Sequence, residues 1–182
     1  QKKLWLKKKF VVETNYCITL DRIPEEFYPE IAANEAQREE WVQLFAIDEI
    51  KGDLTTAAYS APLSNIFLKE HKTLVVDTRY FDARFTENLL SAISNIHADT
   101  CGLAIHGDNR QALPLLRSGA AGSVRLVYAD PPYNTGDDEF AYKDGYQKSS
   151  WLAMMNELMS QTVPLLAPNG NVFCSIDDGE AA

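Results

Sequence analysis

The sequence predicts an α/β protein: three parallel strands forming part of a doubly wound sheet, preceded by a mostly helical amino-terminal region. Three observations lead there. Leu103-Ala104-Ile105, Val124–Ala129 and Asn171–Ile176 are short apolar runs of buried-strand type, separated by segments of helical periodicity. That alternation implies parallel pairing with right-handed crossovers. Residues 1 to about 100 instead place their apolar positions mainly at helical spacing. The expected division is therefore 1–100, an amino-terminal extension, and 101–182, the sheet-bearing part.

The elements follow in order. Lys2, Lys3, Lys7, Lys8 and Lys9 surround Leu4-Trp5-Leu6. A solvated face is the preferred reading, with a phosphate-gripping arm as the alternative. Asn34 and Gln37 make a capping-box-like start for a helix reaching Ile47, with Trp41, Leu44 and Phe45 as its apolar stripe. Leu74-Val75-Val76 comes next, then a helix from Thr86 with Leu89, Leu90, Ile93 and Ile96 on one face. These stripes read as core or partner surface. After Leu103–Ile105 and Gly107, Asp108 or Asn109 opens a helix over Gln111–Arg117. Ser149 or Ser150 opens another, to about Leu166. Leu152, Met155, Leu158, Met159, Val163 and Leu166 recur there at helical spacing, so its methionines belong to the core. Pro168-Asn169-Gly170 is expected to end that helix before the third strand.

The second strand ends on Asp130-Pro131-Pro132-Tyr133-Asn134-Thr135-Gly136. Prolines fix φ, cannot continue a ladder and restrict the residue before them, so the chain leaves the sheet there. Asp130 and Tyr133 then stand at the carboxyl end of a strand, where open α/β sheets bind ligands. A plain turn is the competing reading, since Asp, Pro, Asn and Gly all form turns. The strand before the run and the Asn-Thr-Gly after it favour a functional one.

This run resembles the catalytic motif of DNA amino-methyltransferases, and its Asn-Thr-Gly continuation resembles the adenine-specific enzymes of the permuted beta class. The resemblance implies a Rossmann-like sheet, S-adenosylmethionine as cofactor and double-stranded DNA as partner. Methylating an exocyclic amine puts positive charge on nitrogen, so the site needs acceptors aimed at the amine hydrogens. Asp130 and the carbonyl of Pro131, held by the rigid Pro131-Pro132 pair, suit that task. Tyr133 offers a face on which a flipped base can stack. By the same resemblance Asp108, in its Gly-Asp pair, would contact the adenosine part of the cofactor. A helix cap is the other reading of that residue, and both can hold. Trp151, Pro168, Gly170, Asp177 and Asp178 occupy the family's later positions, although a solvated helix start is the preferred reading of the two aspartates. The runs Leu4–Val12, Asn15–Arg22 and Asp77–Asp82 resemble the amino-terminal region of modification subunits of type III restriction–modification systems. That likeness implies a restriction subunit, or a second copy of the chain, as a further partner.

Composition sets limits. The net charge is −9, and residues 130–182 hold 2 basic against 9 acidic residues. DNA affinity needs clustered Lys and Arg, which this segment lacks. No Phe-x-Gly-x-Gly turn for the methionine part of the cofactor occurs either. The expectation is an amino-terminal fragment, inactive alone, of a longer enzyme whose remainder holds the recognition region. Cys17, Cys101 and Cys174 are dispersed and His71, His97 and His106 lack metal spacing, so no disulfide framework, zinc or other metal site is indicated. Reduced thiols and the lack of a membrane-length apolar run point to the cytoplasm. Two rivals stay open: a methyltransferase acting on cytosine amine or another substrate, and a non-catalytic assembly module.

Overall fold

The computed structural model describes residues 13–53, 56–134 and 147–177. The basic start, Thr135-Gly136, the Phe140–Tyr146 stretch and Asp178 lie outside the described residues. The chain divides into two units, Gln1–Gly102 and Leu103–Ala182.

In the first unit, β1 (Cys17–Thr19) pairs antiparallel with β2 (Val75–Asp77). Around this short ladder lie α1 (Tyr28–Ala33), α2 (Glu35–Phe45), α3 (Asn65–Glu70), α4 (Ala83–Ala92) and α5 (Ile96–Asp99), with 3₁₀ turns at Leu20–Arg22, Glu25–Phe27, Ile47–Glu49 and Thr78–Tyr80. Leu20, Ile31, Trp41, Ile47, Phe67, Leu68, Val76 and Leu89 form a fully buried core. Three-residue strands supply few ladder bonds, so side chains complete the joint. The Trp41 indole N–H donates to the Val75 carbonyl at 2.6 Å, and the Tyr28 hydroxyl donates to Leu20 O at 2.9 Å. α2 starts where the capping signal put it, with Asn34 Oδ1 accepting from Gln37 N at 2.9 Å. The reciprocal half of the box is absent. The Gln37 side chain is buried and instead accepts from Asp77 N at 2.7 Å, bridging helix to strand. A buried amide gains more from an otherwise unpaired strand N–H than from a cap that water can satisfy.

The run Asp77–Asp82 is taken up by this same joint. Asp77 Oδ1 accepts from Arg79 N at 2.9 Å, and Thr78 Oγ1 accepts from Tyr16 N at 2.8 Å. Tyr80 O accepts from Asn34 Nδ2 at 2.8 Å, and Asp82 caps α4 by accepting from Phe85 N at 2.8 Å. Arg79 pairs with Asp77 at 2.9 Å and also with Glu40. That cap starts α4 at Ala83, three residues before the expected Thr86.

The second unit contains α6 (Asn109–Ala120), β3 (Val124–Ala129), α7 (Lys148–Thr162) and β4 (Leu166–Cys174). β3 and β4 run parallel, with Tyr128 opposite Phe173 and Ala129 opposite Cys174. The helices α6 and α7 pack against one another. Three expectations need correction. The sheet has two described parallel strands, not three: Leu103-Ala104-Ile105 forms no strand. Its Leu103 is 72% exposed, and a strand of a parallel sheet needs a ladder partner and cover on both faces. Neither serine opens α7, which starts at Lys148 from Gln147 without a side-chain cap and ends at Thr162 in a 3₁₀ turn. Pro168-Asn169-Gly170 does not stop that helix but lies inside β4, where the pairing jumps from Val124–Leu166 to Leu126–Asn171. The irregularity absorbs the proline. Gly170 is required there, because a Cβ would stand 2.8 Å from Val124 O and 3.0 Å from Ala167 O.

Candidate functional site

β3 carries its chain outward at Asp130, as the two prolines demand. Asp130 is exposed, Pro131 is buried, Pro132 is half-buried and Tyr133 is exposed. Asn134 then takes a left-handed φ of 59°, a conformation that Asn tolerates better than most residues. The short Pro-Pro segment is thus anchored inside the unit while the acid and the aromatic flanking it stay open.

The anchor is Trp151, near the start of α7. Its ring is 4% exposed, and its Nε1–H donates to the carbonyl of Pro132 at 2.8 Å. With the Pro132 carbonyl held by the indole, the Pro131 carbonyl is the acceptor of the pair left to consider for substrate. The sequence reading placed a tryptophan here without giving it a task. A buried aromatic with one donor, one helix after a Pro-Pro turn, was the available signal.

The Tyr133 phenol is held above its ordinary pKa, first by its side-chain hydrogen bond with Asp130, with Ser175 acting in the opposite direction. Ser175 directly follows β4, and its Oγ lies 2.6 Å from the hydroxyl of Tyr128. Asp130, Tyr133, Ser175 and Tyr128 therefore gather at the carboxyl ends of the two strands. Sequence reasoning named only the first two of these. Cys174, half-buried beside them, has its thiol pKa pushed up by burial and then by the Asp130 charge.

Asp108 caps α6, its Oδ1 accepting from Arg110 N at 2.9 Å, and it also meets the Arg110 guanidinium at 3.4 Å. The cap reading of this residue is thus seen directly. The side-chain bond to Arg110 leads the causes that lower its pKa. A lowered folded value contributes stability above the ordinary aspartate value, and that stability is lost as pH falls through the folded value. The side chain is 46% exposed, so solvent screening keeps the contribution small. Asp108→Asn retains the cap but not the charge. Its thermal midpoint is expected to fall less than the wild type's as acid is added, which melting curves over a pH series would check.

Among the described residues no group of His, Cys, Asp and Glu is arranged to hold a metal. No helix among them is long and apolar enough to cross a membrane.

Residues 124–182 match the DNA methylase family, so the match begins at the first residue of β3 and includes Asp130–Tyr133. The chain is 37% identical over 126 residues to a probable type III restriction-modification enzyme HindVI Mod subunit of Haemophilus influenzae. That alignment covers 62% of this chain and 17% of the relative. The StyLTI Mod subunit of Salmonella typhimurium is 31% identical over 123 residues, covering 52% of this chain and 18% of that protein. The EcoP15I Mod subunit of Escherichia coli is 28% identical over 108 residues, covering 43% and 17%. The chain thus spans under a fifth of the length of these curated relatives. Its likeness to type III modification subunits is established over those stretches.

Proposed function

From this likeness to type III modification subunits, we propose that the chain is part of an enzyme that methylates the exocyclic amine of adenine in specific DNA. The placement of Asp130-Pro131-Pro132-Tyr133 at the carboxyl end of β3, with Trp151 on the Pro132 carbonyl, carries this reading. An amine conjugated to a purine is a weak nucleophile that becomes cationic as it is methylated. The exposed Asp130 carboxylate accepts one amine hydrogen and offsets the growing charge. The Pro131 carbonyl accepts the other, while Trp151 keeps the adjoining peptide from turning. Neither acceptor has to reorient during the reaction. Tyr133 supplies the stacking face for a base taken out of the duplex, an interaction of about 1–3 kcal/mol.

S-adenosylmethionine fits this donor set and supplies the methyl group. Its sulfonium is a cation, its ribose hydroxyls and adenine amine are donors, and Asp108 and Asp130 are both accessible carboxylates. Asp108 would hold the adenosine part while continuing to cap α6, because an ionised carboxylate has lone pairs for both tasks. Double-stranded DNA is the substrate in this reading, and a restriction subunit or a second copy is a further partner. A cytoplasmic setting follows from that role.

The test is methyl transfer by the protein encoded by the complete gene. Incubated with S-adenosylmethionine and duplex DNA, it is expected to yield N6-methyladenine on mass analysis of the nucleosides. Methylcytosine as the product would overturn the assignment to adenine. No methylated base at all would return the chain to a non-catalytic assembly role.

A further inference from the structure

Three donors of Arg110 face the acid that caps α6. Its backbone N–H donates to Asp108 Oδ1 at 2.9 Å, its Nε meets the same oxygen at 3.4 Å, and its Nη2 meets Oδ2 at 3.4 Å. The remaining guanidinium nitrogen, Nη1, lies 3.8 Å from Glu157 Oε2. Glu157 belongs to α7, the helix that also carries Trp151, and stands about 9 Å further along it. The three charged side chains are all about half exposed, so the pairs among them add little stability. Their effect is on orientation. An open aspartate turns easily about its terminal bond, whereas a planar fork on both of its oxygens fixes the carboxylate plane. An ionised carboxylate has about four acceptor positions. Arg110 takes three of them and leaves one, on Oδ2.

We propose that Arg110 is a positioning residue for cofactor binding, its guanidinium holding the Asp108 carboxylate in one plane while Glu157 restrains that guanidinium from α7. The inference rests on the methyl-transfer reading, in which Asp108 receives the adenosine part of S-adenosylmethionine. Arg110 touches no part of the cofactor. It leaves Asp108 one acceptor, matched to one hydroxyl or amine hydrogen, and spares binding the cost of ordering that side chain. Because Glu157 and Trp151 share one helix, the cofactor acid and the Pro132 carbonyl are both held from α7.

The experiment titrates S-adenosylmethionine calorimetrically into the protein encoded by the complete gene. Arg110→Ala is expected to raise the Kd about three- to tenfold, the cost of ordering one side chain on binding. Arg110→Lys keeps the charge without the fork and should stay weaker than the wild type. Glu157→Gln should weaken binding in the same direction by less. In an Asp108→Ala background, Arg110→Ala should cost nothing further, since its route to the cofactor is gone. In methyl transfer the loss should fall on the KM for the cofactor far more than on kcat. Circular dichroism would confirm that each variant folds. Arg110→Ala or Arg110→Lys binding as tightly as the wild type would overturn the proposal. So would losses that multiply with Asp108→Ala, because Arg110 would then act on the cofactor directly. Glu157→Gln with wild-type affinity would overturn the part assigned to α7. A wild-type protein that binds no S-adenosylmethionine would instead sink the methyl-transfer reading, and this inference with it.

Discussion

Asp130→Ala, in the protein encoded by the complete gene, is expected to slow methyl transfer about 100- to 1000-fold, the usual cost of deleting one preorganised group facing transition-state charge. Fold and stability should hardly change. Asp130 lies past the last ladder pair of β3 and is exposed. On the proposed reading, what goes is an acceptor for an amine hydrogen together with a negative charge beside a nitrogen turning cationic. Asp130→Asn separates the two, keeping a carbonyl acceptor of similar shape without the charge. Its rate should lie between those of the wild type and Asp130→Ala. Single-turnover rates at saturating cofactor and DNA would check this, with circular dichroism to confirm the fold. If Asp130→Ala stayed within a few-fold of the wild type, the carboxylate would have no part in the chemistry.

The second large effect belongs to Trp151. Replacing this 4% exposed ring by alanine removes the largest side chain buried in the second unit. Aromatic truncations of this kind cost about 3–5 kcal/mol. Besides Trp151, the described residues of that unit bury only Pro131, Thr162 and Leu165, so little surrounding structure is available to collapse into the space. Trp151→Phe is the sharper probe of function. It keeps an aromatic ring in the buried space, at some loss of bulk, and removes the N–H that donates to the Pro132 carbonyl at 2.8 Å. Leaving a half-buried carbonyl unpaired costs about 1–3 kcal/mol. The freed peptide can then turn, so turnover should fall about tenfold or more, as misplacement of a catalytic group does. Chemical denaturation and single-turnover rates on both variants would separate packing from positioning. A Trp151→Phe enzyme with wild-type rate would make the indole bond structural only.

Much of this was legible in the sequence because it depends on neighbours along the chain. Asn34 accepts from a backbone N–H three residues on, and Asp108 from one two residues on. Such caps need nothing distant. Pro131 and Pro132 end β3 through their own rings. Where a residue's partner lay far along the chain, the reading failed or fell silent. Gln37 looked like half of a capping box, yet its side chain is taken by Asp77, 40 residues away. Pro168-Asn169-Gly170 looked like a turn, but Val124 approaches Gly170 closely enough to draw the segment into the ladder. Leu103-Ala104-Ile105 had the apolar content of a strand, and no described strand pairs with it.

The sequence by itself determined where β3 ends, that a carboxylate and an aromatic stand at that end, and which methyltransferases this arrangement resembles. Steric limits on proline and the fixed alternation of a strand operate locally in any context. Only the tertiary structure decided that Trp151 holds the Pro132 carbonyl and that the Ser175 hydroxyl meets that of Tyr128. Those bonds cross 19 to 47 residues of chain. They form because parallel pairing sets the end of β4 beside the end of β3 and because the indole is buried against the Pro-Pro segment. The energy of a hydrogen bond depends on distance in space, and separation along the chain does not encode it.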